Sequence, residues 1–420
     1  MLIAFFILLM IGVPMAFSLG ISSLIYLFMT DMPLVLIAQR TYAGLDSFIM
    51  IAIPAFMLAG ALMNTGGVTR RLIKLSNSLV GHIRGSLALV NVLSSKLFAG
   101  ITGTALADVA SLGSMLIPAM EEAEYDKDFA VALTASTSII SAIIPPSMPM
   151  VIAGSAAAIS IGGMFAGGII PGLLLGVVLF LQVMFIARRR NFPKTRRHSL
   201  KEILTIAKEA IGAVLMPLIL LVGILGGFFT PTEAAIVTVA YAFVVCTFVY
   251  REIKFNDIFR SVVKVMRAAS SIMLIVGLAS VFSNILVIER VPQLLADSIL
   301  GFTDNFFLVI LIINLILLVV GMFMETFAAI LILFPVLLPV AVGVGMSPVQ
   351  FGVMAVTNLL IGLITPPIGI CMATAAQIGR ISLWDALKAN MPFLCTMLIL
   401  LALVAFVPPL TTWLPSLLQP

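Results

Sequence analysis

Charge is what this chain lacks most: only 10% of its 420 residues are Asp, Glu, Lys or Arg, against 62% that are hydrophobic. A water-soluble domain carries about 25% charged and roughly 45–50% apolar residues. Water does not solvate such an excess of apolar surface, so lipid must be the solvent for most of the chain; the mean hydropathy of +1.24 agrees. Histidine is nearly absent, at two residues, and the three cysteines Cys246, Cys371 and Cys395 sit in apolar stretches without paired spacing. That excludes a disulfide framework and a cysteine–histidine metal site. Strand-type alternation is missing and the apolar runs are continuous, which excludes a membrane barrel. What is left is an all-α polytopic membrane protein. A bilayer core of about 30 Å takes roughly 20 apolar residues per helical crossing. Runs such as 172–187, 306–321 and 392–407 fit or approach that length. The apolar N-terminus has neither a basic leader nor a small-residue cleavage site, so it reads as a retained first span.

The net charge of +5 is concentrated in one place, Arg188-Arg189-Arg190-Asn191-Phe192-Pro193-Lys194-Thr195-Arg196-Arg197-His198. Beside membrane spans such a run marks a cytoplasmic loop. No soluble domain presents it, so a nucleic-acid partner is not expected. The stretch 67–80 reads as an amphipathic interfacial helix, with Leu72, Leu75 and Leu79 on one face and Arg70, Arg71 and Lys74 on the other.

The chain also repeats itself. A shift of 221 positions lays Gly100 on Gly321, Pro118 on Pro339, Pro145 and Pro146 on Pro366 and Pro367, and Pro171 on Pro392. Nearer the starts of the halves the offset drifts to 217, pairing Pro14 with Pro231. The chain therefore divides into a first repeat at 1–187, a basic linker at 188–211 and a second repeat at 212–420. Weak Gly/Pro symmetry between halves is a sign of secondary transporters, whose repeats are often inverted. A duplicated scaffold with merely kinked helices is the plainer reading.

Each half holds a double proline inside an otherwise helical apolar run, giving broken helices at about 128–158 and 348–378. Proline has no N–H, and its ring clashes with the carbonyl four residues back. Pro145 and Pro146 thus release the carbonyls of Ser141 and Ala142, and Pro366 and Pro367 those of Gly362 and Leu363. In hydrocarbon an unpaired carbonyl costs several kcal/mol, so something must satisfy it. Sodium ions and water in a protein-lined cavity would do so. About 45 residues upstream of each double proline lies a second interruption, Thr102-Gly103-Thr104 in the first half and Met324-Glu325-Thr326 in the second. The segments about 86–120 and 305–341 are too long for one span and too short for two spans and a loop. Each is expected to form a re-entrant hairpin with its tip near mid-membrane; an over-long kinked span is the alternative.

A hairpin tip facing an unwound helix gathers helix C-termini and free carbonyls around a cation. It also turns the N-termini of the following half-helices toward an anion. One such pair per half predicts two cation sites flanking a central anion site. The hydroxyls of Thr102, Thr104, Ser141, Ser147, Thr326 and Thr365 suit a hard cation. Asp108, Glu233, Glu325 and Arg380 lie within or beside apolar segments, where charge is expensive and commonly functional. Glu325, Arg380, Thr104 and Thr326 are the candidates for holding the substrate, although an arginine snorkelling to the interface is the plainer reading of Arg380. Asp108 is expected to cap or pair within the first hairpin, and Glu233, just after Pro231, to cap a helix start.

Taken together, the motif 98–108, the Ile143-Ile144-Pro145-Pro146-Ser147 break, Phe229-Thr230-Pro231-Thr232-Glu233-Ala234-Ala235 and Ile364-Thr365-Pro366-Pro367 resemble the large membrane subunit of tripartite ATP-independent periplasmic (TRAP) transporters, of the DctM/SiaM type. The resemblance covers essentially the whole chain. At the first tip this chain has Thr102 and Thr104 where serines are expected in much of the family, a change that keeps the hydroxyls. The resemblance implies a sodium-driven elevator-type transporter of the bacterial inner membrane, with a scaffold and a mobile transport domain. It also implies a separate small four-helix membrane subunit (DctQ/SiaQ type) and a periplasmic substrate-binding protein (DctP/SiaP type). The cargo would be a small organic anion such as sialic acid or a C4-dicarboxylate, with no cofactor beyond the coupling sodium ions.

Because each proline frees the carbonyl four residues back, the first sodium site is expected at Ala99, Gly100 and Ser141, completed by Thr102 and the turn Ile144, Pro145 and Ser147. The second is expected at Gly321, Gly362 and Thr365, with Ile368 nearby. A stand-alone dicarboxylate- or citrate-type sodium symporter is the nearest alternative, and uptake without a binding protein would favour it. An intramembrane enzyme needs a nucleophile and base or a metal dyad. His82 and His198 both stand in basic interfacial segments, and no aspartate pair lies on a span. A continuous channel is disfavoured by the paired breaks. The basic segment 188–201 and the acidic turn 121–128 are expected on one face, the cytoplasmic one.

Overall fold

The computed structural model describes residues 1–303 and 305–418; Asp304 and the final two positions of the second repeat lie outside the described residues. Every regular element among the described residues is helical. Among the described residues, eight helices are long and apolar enough to cross a bilayer by length and composition, and a ninth crossing arises if the bent pair Lys127–Ile143 and Met148–Ala156 counts as one span. That pair is bent by 48°.

The prolines that coincide in the sequence occupy like places in the fold. Pro118 and Pro339 lie inside the second arms of the two hairpins, Ser114–Glu122 and Thr326–Gly343. Pro171 and Pro392 lie inside the long helices Ile161–Arg189 and Leu383–Phe406. Pro14 precedes helix Met15–Met29, and Pro231 opens helix Pro231–Val244. There Thr230 and Glu233 form a capping box: the Thr230 N–H donates to Glu233 Oε2 at 2.8 Å and the Glu233 N–H to Thr230 Oγ1 at 3.3 Å.

The helices gather into two groups. In one, Pro231–Val244 lies along Ala52–Thr65, and the 34-residue helix Phe255–Ile288 lies along Met15–Met29 and Val35–Leu45. In the other, hairpin arms and broken helices pack on one another: Ser86–Thr102 on Lys127–Ile143, and Phe306–Phe323 on Pro348–Gly362. Small residues set the close approaches between and within the groups. A Cβ on Gly44 would sit 2.6 Å from Ser280 Cβ, and one on Gly100 would sit 2.2 Å from Pro217 Cβ. Without a hydrophobic force between helices in lipid, such close backbone contact is a main source of association.

The helix Val68–Val80 is amphipathic as expected, with Leu72 and Leu75 buried, but Leu79 in its last turn is 43% exposed. The seam that covers Leu75 is made by Ile206 and Ala210 and ends short of Leu79. Its basic face is tied down by ion pairs, Arg70 and Arg71 to Glu252 at 2.9 and 2.8 Å and Lys74 to Glu209 at 2.8 Å. The basic linker and the acidic turn meet at one end of the molecule. Arg190 pairs with Asp126 at 2.5 Å, Tyr125 and Phe129 pack on Phe192, and Pro193 O accepts from the Gly85 N–H at 3.0 Å.

Candidate functional site

Both double prolines stand where a helix from a hairpin meets a broken helix. In the first half, Ser86–Thr102 ends on Gly103, whose φ of +61° is the left-handed conformation that favours glycine. The Gly103 carbonyl accepts from the Met148 N–H at 3.1 Å, and a Cβ there would lie 2.6 Å from the Pro146 carbonyl oxygen. The tip is thereby docked on the Pro145-Pro146 break. Ala99, Gly100, Thr102, Ser141, Ile144, Pro145 and Ser147 are all buried around this junction. In the second half the contact falls at the helix end before the prolines. A Cβ on Gly362 would lie 2.4 Å from the Gly321 carbonyl carbon. Gly321, Gly362 and Thr365 are buried together there, whereas Ile368 is 44% exposed.

The fate of the four released carbonyls differs from the sequence expectation. Ala142 O accepts from Ser147 Oγ at 2.5 Å, and Ser147 Oγ in turn accepts from the Met150 N–H at 3.3 Å. Gly362 O accepts from the Thr365 N–H at 3.1 Å, in a tightened turn. Leu363 O accepts from the Cys371 N–H at 3.0 Å. Among the described residues, no donor reaches the Ser141 carbonyl. The chain recaptures three of the four because a buried carbonyl without a donor is costly and the break brings new N–H and O–H groups within reach.

The charged candidates divide sharply. Asp108 neither caps nor pairs, contrary to the expectation. It is 1% exposed, stands beside the hydroxyls of Ser95 and Ser141, and has no well-formed hydrogen bond to either carboxylate oxygen among the described residues. Thr102 Oγ1 and Thr326 Oγ1 are likewise buried without a partner. Glu325 caps the second arm, accepting from the N–H groups of Phe327 at 2.9 Å and Ala328 at 3.3 Å. Thr104 is half-buried at the first tip. Arg380 is exposed, just past the helix Ile370–Gly379. Asp108 and Glu325, one acid from each hairpin, both stand within electrostatic reach of the buried Cys371 thiol.

Sequence reasoning passed over the side-chain amides that tie the hairpin arms to the broken helices and the two halves to each other. Asn91 Nδ2 donates to Thr134 Oγ1 at 2.7 Å and Asn91 Oδ1 accepts from Thr137 Oγ1 at 2.9 Å, tying hairpin arm to broken helix. Asn358, which the 221 shift lays on Thr137, ties the second pair by donating to Asn314 O at 2.9 Å and Oδ1 at 2.7 Å. Asn390 joins the halves: its Oδ1 accepts from Ser136 Oγ at 2.7 Å and its Nδ2 donates to Ile364 O at 3.0 Å. The available signal was an amide inside an apolar run, which in a membrane protein seeks a partner on another helix.

Residues 2–410 match the family model described as tripartite ATP-independent periplasmic transporter, DctM component. The chain belongs to this family. It is 41% identical to the sialic acid TRAP transporter large permease protein SiaM of Vibrio cholerae, with 98% of this chain and 96% of that protein covered. It is 36% identical to the C4-dicarboxylate TRAP transporter large permease protein DctM of the same organism, over 97% of this chain and 95% of that protein. Its fold is similar to that of the YdaH transporter of Alcanivorax borkumensis, with a TM-score of 0.62 at 16% identity, over 92% of this chain and 90% of that one. As a TRAP large permease the protein is a transporter component and not an enzyme, and it resides in the bacterial inner membrane. Large permeases of this family work with a small membrane subunit and a periplasmic binding protein.

Proposed function

We propose that this permease imports a small carboxylate-bearing anion, delivered by a periplasmic binding protein, with sodium as the coupling ion. Several of its relatives are named for sialic acid or for C4-dicarboxylates, which present carboxylate groups, and one for the sulfonate isethionate. The observation that carries sodium coupling is the state of Asp108: a buried acid beside the side chains of Ser95 and Ser141, with no well-formed hydrogen bond on either oxygen among the described residues, in a half where the Thr102 hydroxyl is also buried without a partner. An uncompensated buried charge is strongly unfavourable, and a hard cation with oxygen ligands relieves it. The anion would lie between the tips, where Thr104, Thr326 and the helix N-termini that follow the breaks supply donors. Transport by an elevator motion follows from this reading: the group containing hairpins and broken helices would slide against the group built on Phe255–Ile288.

The test is uptake in proteoliposomes holding the permease with its small subunit and binding protein. An inward sodium gradient should drive accumulation with a Hill coefficient above one for sodium. Uptake driven equally by a proton gradient without sodium would overturn the proposal.

A further inference from the structure

The helix Phe255–Ile288 is longer than a crossing requires. Its 34 residues at about 1.5 Å each exceed a hydrocarbon core of about 30 Å. Its start is fixed to the end of the molecule that carries the basic linker: Glu252 pairs with Arg70 and Arg71 on the helix Val68–Val80, and Gly81 O, just past that helix, accepts from the Thr195 N–H at 2.9 Å. The first turns of the long helix therefore run through the headgroup region at that end.

There, Arg260, Lys264 and Arg267 recur at helical spacing and line a shallow groove of about 550 Å³ with Phe259, Val263 and Ala268. All three cations are exposed, and none has an ion-pair partner among the described residues. Asp257, the acid on the same stretch of helix, is turned back to accept from the Lys254 N–H at 3.1 Å. The basic groups alternate with exposed apolar ones, Phe255, Phe259 and Met266. Three cations thus stand on one helix face beside greasy side chains, without an acid among the described residues to neutralise them. That combination matches a phosphate over an acyl chain.

We propose that this face binds an anionic phospholipid from the leaflet on the linker's side, with the headgroup phosphate held by Arg260, Lys264 and Arg267 and an acyl chain laid along Phe259 and Val263. The lipid would anchor this helix, and with it the group of helices it organises, at a fixed depth.

Native mass spectrometry of the full chain in detergent tests this, titrating phosphatidylglycerol and phosphatidylcholine with identical acyl chains. The wild type should retain phosphatidylglycerol with at least about tenfold preference. R260Q/K264Q/R267Q should abolish the preference, R260K/R267K should keep it, and the control R188Q/R189Q should leave it unchanged. An undiminished preference in the triple variant, or an equal loss in the control, would overturn the proposal. Loss of small-subunit co-purification in the triple variant with the lipid preference intact would assign the face to a protein partner instead.

Discussion

Gly362 approaches Gly321 so closely that a Cβ on it would lie 2.4 Å from the Gly321 carbonyl carbon, while a Cβ on Gly321 would meet nothing nearer than Leu359 Cα at 3.2 Å. The two glycines coincide in one contact but do not carry it equally. Gly362→Ala has to push two backbones apart and should cost about 1–3 kcal/mol, the usual range for overpacking. Gly321→Ala should cost clearly less. Thermal unfolding of the two variants in detergent checks the order; equal melting temperatures would show that the second hairpin is not seated on its broken helix at this point.

Asn390 should matter more than a single amide usually does. Asn390→Leu removes the donor to the Ile364 carbonyl and the acceptor of the Ser136 hydroxyl, and both are buried. Leaving such groups unsatisfied costs about 1–3 kcal/mol. Lower thermal stability together with impaired uptake is expected, and Asn390→Asp, which keeps only the acceptor, should be intermediate in stability.

Thr102 and Thr365 separate ion binding from folding. Thr365 Oγ1 donates to Ile361 O at 2.7 Å, so Thr365→Val forfeits a hydrogen bond as well as an oxygen. Thr102 Oγ1 is buried without a partner, so Thr102→Val should leave stability unchanged or raise it. On the sodium proposal it should nevertheless raise the sodium concentration for half-maximal uptake several-fold. Unaltered sodium dependence with normal protein levels would remove Thr102 from the site.

The contact of Arg190 with Asp126 is a surface ion pair, about half exposed on both sides. Such pairs contribute about 0–1 kcal/mol, so Arg190→Ala should scarcely change stability. A cysteine placed at Thr195 should be reached by a membrane-impermeant thiol reagent only from the cytoplasmic side. Periplasmic labelling would invert the orientation assigned to the linker and to the acidic turn it touches.

Much of this architecture is legible in the residues because its causes are local. A proline removes an N–H wherever it stands, so the breaks at Pro145-Pro146 and Pro366-Pro367 follow from covalent structure. Thr230 and Glu233 are three residues apart, so their capping box needs no other part of the chain. The arginines of the linker and the apolar runs around them specify a membrane protein without reference to any contact.

Other features arise only when distant segments meet. Whether a released carbonyl stays open depends on what the break brings back: the Leu363 carbonyl finds Cys371, the Ala142 carbonyl finds Ser147, and the Ser141 carbonyl finds no donor among the described residues. Asp108 was expected to cap or pair, but the helix that follows Thr104 leaves its carboxylate facing the broken helix instead. Gly100 and Gly321 are equivalent in sequence, yet one is pressed against Pro217 and the other against Leu359. Local chemistry therefore determined where the chain must bend, cap or enter lipid. Tertiary packing decided which polar groups were left without a partner, because a hydrogen bond between residues hundreds of positions apart depends on where two helices come to lie, and no local pattern encodes that.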